Sequence, residues 1–185
     1  MKVCLIRHAE TAWALTGQHT GLTDIPLTAH GEDQARELAV PLQAMDFAHV
    51  LVSPRLRACQ TCALAGFSAV GIEEPDLSEW VYGDFEGLSS ADIRIKNPEW
   101  NIWRDGCPGG ESPADVCARA DRLIARVRTL RGTVAMFSHG QFGAALIARW
   151  IGLALCEGQH FSLRPASMCV LGSDPHHPQQ PTIEW

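Results

Sequence analysis

Three short apolar runs in this chain are each followed by side chains that could bind an anion or act as nucleophiles. These side chains are Arg7 and His8 after the first run, Ser53 and Arg57 after the second, and Ser138 and His139 after the third. Guanidinium groups suit phosphate because they offer paired N–H donors, and a neutral imidazole can act as a nucleophile. Together they favour phosphoryl chemistry, whereas any one of them alone is more often structural.

A second set of candidate side chains lies in the irregular stretch 75–112. The set comprises Glu79, Tyr82, Asp84 and Glu86. Cleavage of a phosphate ester needs a proton donor for the leaving oxygen, and a carboxylic acid near an anionic pocket can serve as that donor. Residue type does not separate Glu79 from Glu86, and the alternative is that these carboxylates only keep the segment soluble.

Strands and helices that alternate along the chain would bring the first set together. Unbroken apolar runs predict buried strands over residues 3–6, 50–52, 133–137 and 168–171, with another near 70–73. Apolar residues at helical spacing predict the principal helices over 35–45, 53–65, 112–130 and 143–151. This alternation indicates an α/β fold of three layers, in which helices flank a mostly parallel central sheet. Such sheets bind ligands beyond the carboxyl ends of their strands, which is where the first set lies.

Serine and proline residues indicate where two of these helices begin. Ser53 before Pro54 predicts a helix N-cap at the end of the second strand. Ser112 with Asp115 predicts a box-like cap for the clearest helix of the chain.

The size and composition fit one ordinary globular domain. The 185 residues are 46% hydrophobic and 19% charged, and we expect a single domain over 1–173 with a tail over 174–185. No apolar run approaches the roughly 20 residues that cross a bilayer. The net charge of −6 argues against a nucleic-acid surface but allows a locally basic pocket. Residues 1–6 are too short an apolar run for a signal peptide, so we expect a cytoplasmic protein.

Six segments, taken in chain order, carry the motifs of one family. They read LIRHAET at 5–11, TGLTD at 20–24, SPRLRACQT at 53–61, LSEWVYGDFEG at 77–87, GGES at 109–112 and SHG at 138–140. In this order they resemble the histidine phosphatase family, which includes cofactor-dependent phosphoglycerate mutases. The resemblance covers most of the chain, and it implies a phosphoglycerate mutase-like fold.

The resemblance also implies a metal-independent phosphatase that forms a phosphohistidine and uses no cofactor. His8 would be the nucleophile, and Glu79 would be the general acid that later activates water. The residues implied to bind the transferred phosphoryl group are Arg7, Arg57 and His139. Further substrate contacts are implied for Thr20, Gly21 and Tyr82. The implied partner is a small phosphorylated metabolite, not a nucleic acid or a membrane, and a homo-oligomer stays open.

Two segments resemble one branch of the family more closely. GQHTGLTD at 17–24 and WNIWRDGC at 100–107 are similar to the sedoheptulose-1,7-bisphosphatase branch and its bacterial relatives, which implies a sugar phosphate. Two positions depart from the family pattern, because Ala9 replaces a glycine and Ala144 stands where this branch carries an arginine. If that arginine holds a second phosphate, its absence favours a monophosphate substrate or a lost activity.

Three other functions stay open at the level of the sequence. A phosphoglycerate mutase would move phosphate between two hydroxyls, but the stretch between Glu79 and His139 lacks the insertion associated with mutases. The second alternative is a phospho-ligand-binding module without turnover. The third is a zinc hydrolase using His8 and His139, although these two lack the usual close ligand spacing. Trp100 and Trp103 could form a roof over the pocket or pack against a helix.

Overall fold

A six-stranded mixed sheet forms the centre of the molecule in the computed structural model, which describes residues 2–177 and 179–184. The strands are β1 (Lys2–Arg7), β2 (Phe47–Val52), β3 (Gly71–Glu73), β4 (Thr133–Ser138), β5 (Met168–Ser173) and β6 (Pro181–Glu184). They lie in the order β3-β2-β4-β1-β5-β6. The first four run parallel, whereas β5 is antiparallel to β1 and β6 is antiparallel to β5. The α/β fold with a mostly parallel sheet, predicted from the sequence, is therefore confirmed.

Helices connect the strands and cover the sheet. The α-helices of the described residues are α1 (Ala12–Thr16), α2 (Ala29–Glu37), α3 (Ala39–Gln43), α4 (Leu56–Cys62), α5 (Ser90–Lys96), α6 (Ile102–Asp105), α7 (Pro113–Val127) and α8 (Gly140–Trp150). Short 3-10 turns lie at Pro75–Leu77, Gly83–Phe85 and Leu155–His160, and a π-helical turn follows α4 at Ala63–Phe67. None of the helices in 2–177 and 179–184 is long and apolar enough to cross a membrane.

Alternate side chains of β1 enter two separate apolar cores on the two faces of the sheet. Val3 and Leu5 belong to the core that contains side chains of α6, α7 and α8. Cys4 and Ile6 belong to the other core, which contains side chains of α3 and α4. All four are completely buried, as expected for a central strand covered on both faces. The result is the three-layer arrangement predicted from the alternation of strands and helices.

The start of α4 differs from the sequence prediction. The sequence predicts Ser53 as the cap of a helix that begins at Pro54, but α4 begins at Leu56 and its N-cap residue is Arg55. The Ser53 hydroxyl accepts a hydrogen bond from the Arg55 amide at 3.3 Å and lies 2.7 Å from the ring Nε2 of His139. Its shorter contact is therefore with a residue that is distant in sequence. At α7, by contrast, both hydrogen bonds of the predicted capping box are present.

The segment assigned to a tail contributes a strand to the sheet. Residues 181–184 form β6, which pairs with β5 so that Ile183 lies opposite Leu171. Before it, the Asp174 carboxylate accepts hydrogen bonds from the amides of His176 and His177. The sheet thus extends past the domain boundary that the sequence predicts at residue 173.

Candidate active site

The hydrogen-bond ladder between β1 and β4 places two histidines side by side. Arg7 pairs with Ser138 in this parallel register, so the next residues, His8 and His139, leave the sheet at the same edge. The His8 amide donates to the Ser138 carbonyl oxygen at 2.9 Å. The centroids of the two imidazole rings are 5.2 Å apart. The two strand ends thus meet at the carboxyl edge of the sheet.

The contacts of His8 determine which ring nitrogen is free. Its Nδ1 lies 2.7 Å from the carbonyl oxygen of Ala9, which can only accept a hydrogen bond. Nδ1 therefore carries the hydrogen, and Nε2 keeps a lone pair. Burial lowers the pKa of His8 well below its usual value, and the positive charges of Arg57 and Arg7 lower it further. A neutral imidazole with a free Nε2 is the form that can act as a nucleophile.

Arg7 lies beside His8 with part of its guanidinium group unpaired. Its Nη1 donates to the carbonyl oxygen of Leu163. Its Nε is buried and has no hydrogen-bond partner among the described residues. A Cβ atom at position 140 would lie 3.0 Å from the Arg7 Cζ, so Gly140 leaves the space that the guanidinium occupies. An anion in the adjacent space could accept the remaining hydrogen bond.

Arg57 and His139 are fully buried behind this edge of the sheet. The Arg57 guanidinium donates hydrogen bonds of 2.7 to 3.2 Å to the backbone carbonyl oxygens of Thr20, Gly21 and Thr23. The Arg57 Nε and the His139 Nδ1 have no partner within 2–177 and 179–184. Burial lowers the pKa of His139 well below its usual value, and the charge of Arg57 adds to this effect. His139 is therefore neutral near pH 7, like His8.

The Glu79 carboxylate is anchored at the first turn of α8. Its Oε1 accepts hydrogen bonds from the amides of Trp80 and Phe142 at 2.9 and 2.7 Å, and its Oε2 accepts one from Gln141 at 2.9 Å. The first turn of a helix has unpaired N–H groups and a positive partial charge, so it binds a carboxylate well. Oε1 thereby uses both of its lone pairs, whereas Oε2 keeps one for a further partner.

A cavity of about 370 Å³ opens at this edge of the sheet. Of the residues predicted for the site, those that line it are Arg7, His8, Thr20, Glu79 and Tyr82. Gly21, Arg57 and His139 do not line it. Much of the remaining wall is formed by Gln18, His19, Trp103, Gln141, Gln159 and Ser162. Among the lining residues of the described chain Arg7 is the sole lysine or arginine, and no group of three or more His, Cys, Asp or Glu could hold a metal ion there or elsewhere in 2–177 and 179–184.

Aromatic rings form the wall of the cavity that faces the sheet edge. His19 stacks on Tyr82 with ring centroids 4.5 Å apart, and burial lowers the pKa of His19 to about 4. Trp103 lines the cavity, whereas Trp100 borders a separate surface groove with Phe85. The sequence leaves open whether Trp100 and Trp103 border the pocket or pack against a helix, and Trp103 is the one of the two that lines it.

Almost the whole chain matches one protein family: residues 3–184 fit the model of the histidine phosphatase superfamily, branch 1. The chain belongs to this superfamily. An acid phosphatase from Mycobacterium tuberculosis is 42% identical over 176 residues, which span 92% of this chain and 86% of that protein. Sedoheptulose 1,7-bisphosphatase from Saccharomyces cerevisiae is 34% identical over 188 residues, spanning 83% and 69%. The solved structure of the product of an open reading frame from Mycobacterium tuberculosis superposes with a TM-score of 0.94 at 37% identity, covering 100% and 95% of the two chains.

Sequence reasoning assigned no supporting role to three side chains around the site of this histidine phosphatase superfamily member. Ser53 contacts His139, and a buried ion pair between Arg119 and Glu111 lies behind Glu79. A signal existed for Arg119, because it lies among the buried apolar residues of α7, where a charged side chain needs a partner. For Ser53 the local signal indicated a helix cap, and no signal indicated a contact with a residue 86 positions away.

Proposed function

We propose that this chain is a metal-independent phosphatase that hydrolyses a phosphomonoester through a phosphohistidine on His8. One observation carries the proposal: unpaired buried nitrogen atoms of the described chain belong to residues close to His8, because the His139 ring centroid is 5.2 Å from that of His8 and the charges of Arg57 and Arg7 lower the His8 pKa. The Nε atoms of Arg7 and Arg57 and the Nδ1 of His139 are buried without a partner among the described residues, beside the free Nε2 of His8. Buried donors are normally paired, and the oxygen atoms of a bound phosphoryl group would pair these.

In the first step, Nε2 of His8 attacks the phosphorus atom, and the bond from phosphorus to the ester oxygen breaks. The Ala9 carbonyl stabilises the positive charge that the ring acquires, because it accepts the Nδ1 hydrogen. Arg7, Arg57 and the Nδ1–H of His139 bind the non-bridging oxygens, on which the transition state spreads its negative charge. Glu79 is the proposed general acid, which gives a proton from Oε2 to the leaving alkoxide.

In the second step, water attacks the phosphohistidine, and the bond between phosphorus and nitrogen breaks. Glu79, now a carboxylate, accepts a proton from the attacking water at Oε2. Inorganic phosphate leaves, and His8 returns to its neutral form with the hydrogen on Nδ1. The hydrogen bonds to the first turn of α8 keep the carboxylate at one place through both steps.

We propose a sugar monophosphate as the substrate class. Amide and hydroxyl groups on the cavity wall, from Gln18, Gln141, Gln159 and Ser162, can bind sugar hydroxyls, and the Trp103 indole can pack on the apolar side of a sugar ring. The wall offers one guanidinium, which the transferred phosphoryl group would use, so a second phosphate would have no cation. The names of two relatives, an acid phosphatase and a sugar bisphosphatase, fit phosphatase activity on a sugar phosphate, whereas the choice of one phosphate over two rests on the cavity wall.

Phosphate release from 4-nitrophenyl phosphate tests the proposal. We expect activity to persist in EDTA and to fall roughly 10³-fold or more in His8→Ala, because the nucleophile is lost. The matched control is His30→Ala, which removes an exposed histidine on α2 and should leave the rate unchanged. Alkaline quenching of wild-type enzyme with labelled substrate should trap an acid-labile phosphoryl group that His8→Ala lacks. Full activity in His8→Ala would refute the mechanism.

Further assays of the wild-type protein test two of the three other functions that the sequence leaves open, and the EDTA assay tests the third, the zinc hydrolase. Incubation with 3-phosphoglycerate and a trace of the bisphosphate would yield 2-phosphoglycerate without free phosphate if the chain were a mutase. Tight binding of phosphorylated compounds without phosphate release, across a broad panel, would indicate a binding module. We expect free phosphate and no isomerisation.

A further inference from the structure

A buried arginine on α7 connects the parts of the molecule that hold Glu79. The Arg119 side chain is 11% exposed and forms two parallel hydrogen bonds of 2.9 and 2.8 Å with the Glu111 carboxylate. Its Nη1 donates to the carbonyl oxygens of Asp76 and Ser78, and its Nη2 lies 3.4 Å from that of Glu79. One guanidinium therefore binds three main-chain carbonyl groups of the segment that ends in Glu79.

The same guanidinium also contacts the helix that binds the Glu79 carboxylate. The Arg119 Cζ lies 4.1 Å from the ring centroid of Phe142, in a cation–π contact. The Phe142 amide is the donor of the 2.7 Å hydrogen bond to the Glu79 Oε1. Arg119 thus holds both the main chain of Glu79 and the first turn of α8, against which the Glu79 side chain lies.

Glu111 completes this arrangement from the other side. Besides binding Arg119, its Oε2 accepts a hydrogen bond from the Val81 amide, two residues after Glu79. The main-chain carbonyl oxygen of Glu111 accepts a hydrogen bond from the Trp80 indole, and the Glu111 amide donates one to the carbonyl oxygen of Val81. Residues on both sides of Glu79 are therefore attached to one ion pair.

We propose that Arg119, held by Glu111, is a positioning residue for the proton transfer by Glu79. The proposal rests on the proposed function, in which Glu79 gives a proton to the leaving oxygen and later takes one from water. Arg119 does not line the cavity, so it acts through Glu79 and not on the substrate. A proton donor displaced by about 1 Å can lose on the order of 10² in rate, which makes this support consequential.

The leaving group of the substrate provides the test. A dinitrophenolate leaves as an anion and needs little proton donation, whereas phenolate needs more. We expect Arg119→Met and Arg119→Lys to lower kcat/KM for phenyl phosphate roughly 10-fold or more beyond the fall for dinitrophenyl phosphate. Lysine should not replace arginine, because one ammonium group cannot bind a carboxylate in two parallel bonds and three carbonyls at once. Glu111→Gln should also lower kcat/KM more for phenyl phosphate than for dinitrophenyl phosphate, by a smaller factor.

A second readout concerns the hydrolysis of the intermediate. With dinitrophenyl phosphate the first step of an Arg119 variant stays fast while the second slows, so we expect a burst of dinitrophenolate and accumulation of phosphohistidine. Arg122→Met is the matched control: Arg122 lies on the same helix and pairs with the Asp76 side chain at the surface. The ratio of kcat/KM for phenyl phosphate to that for dinitrophenyl phosphate should be the same in Arg122→Met as in the wild type.

Comparison with Glu79→Gln separates the two proposals. Glu79→Gln should lower kcat/KM more for phenyl phosphate than for dinitrophenyl phosphate. If it does, and the folded Arg119 variants lower kcat/KM equally for both substrates or not at all, the role proposed for Arg119 is wrong. If Glu79→Gln lowers kcat/KM by the same factor for both substrates, the role proposed for Glu79 is wrong, and that of Arg119 is refuted with it. Should Arg119→Met fail to fold, Arg119→Lys and Glu111→Gln provide the same measurement with the charge or the volume preserved.

Discussion

The lowered pKa of His8 has three physical sources that act in one direction: burial, the charge of Arg57 and the charge of Arg7. Each disfavours the imidazolium form, and the hydrogen bond to Ala9 opposes them with the smallest effect. An exposed histidine takes up a proton near pH 6.5. His8 should therefore stay neutral, with Nε2 available, in solutions acidic enough to protonate an ordinary surface histidine.

We expect the protonation of His8 in the ligand-free enzyme to occur well below pH 6.5. In the proposed mechanism the neutral form of His8 is the nucleophile, so the fall of kcat/KM at acid pH that is due to the enzyme should lie in the same range. The substrate phosphate itself titrates near pH 6, so an NMR titration of the His8 ring without substrate supplies the independent value. A transition of the His8 signal at or above pH 6.5 would contradict the prediction.

Residue types at the strand ends could be predicted from the sequence, but their contacts could not. The positions of His8 and His139 follow from two apolar runs, because parallel strands end at one edge. The contacts of Arg57 do not follow, since its guanidinium binds carbonyl oxygens more than 30 positions away instead of lining the cavity. Periodicity describes neighbours along the chain, and these hydrogen bonds join residues that only the completed fold brings together.

At the scale of elements, the small helix α6 and the 3-10 turn Leu155–His160 meet through one close contact. A Cβ atom at Gly158 would lie 2.5 Å from two ring atoms of Trp103 and 3.3 Å from the Ala144 carbonyl carbon. Gly158 therefore allows the indole to lie against the turn and form part of the cavity wall. Nothing in the local sequence indicates this requirement, because it arises from a side chain 55 positions earlier.

We expect Gly158→Ala to raise KM for a sugar phosphate, because the added methyl group must displace the Trp103 ring. Overpacking of this kind also lowers the free energy of unfolding by about 1–3 kcal/mol. Steady-state kinetics and urea unfolding measure the two effects. The double variant Gly158→Ala with Trp103→Phe restores room for the methyl group, so part of the stability should return. Strictly additive losses in the double variant would show that the two side chains do not contact one another.

At the scale of the whole molecule, the protein has a net charge of −6, and the candidate site contains few positively charged groups. In the proposed mechanism Arg7 and the buried Arg57 supply the cations for one phosphoryl group, and the cavity wall beyond Arg7 carries mainly amides, hydroxyls and aromatic rings. A second phosphate would bring more negative charge into an environment that is already negative overall. Charge balance therefore favours substrates with a single phosphate.

We expect kcat/KM for a hexose monophosphate to exceed that for the corresponding bisphosphate roughly tenfold at low ionic strength, with a smaller difference in high salt. Gln141→Lys adds a cation to the cavity wall and should narrow the difference. Gln141→Met, which has similar size and no charge, is the matched control and should leave the ratio near that of the wild type. Equal use of both substrates by the wild type would contradict the prediction.

The distance between His8 and His139 is set by main-chain hydrogen bonds between β1 and β4, not by the packing of side chains. A change of register moves the pairing by whole residues and turns alternate side chains to the opposite face, so that Val3 and Leu5 would enter the core that holds Cys4 and Ile6. The main-chain pairing that brings His8 and His139 together can therefore change only by whole residues. Substitutions in the surrounding loops can alter which substrates reach the site without changing this pairing.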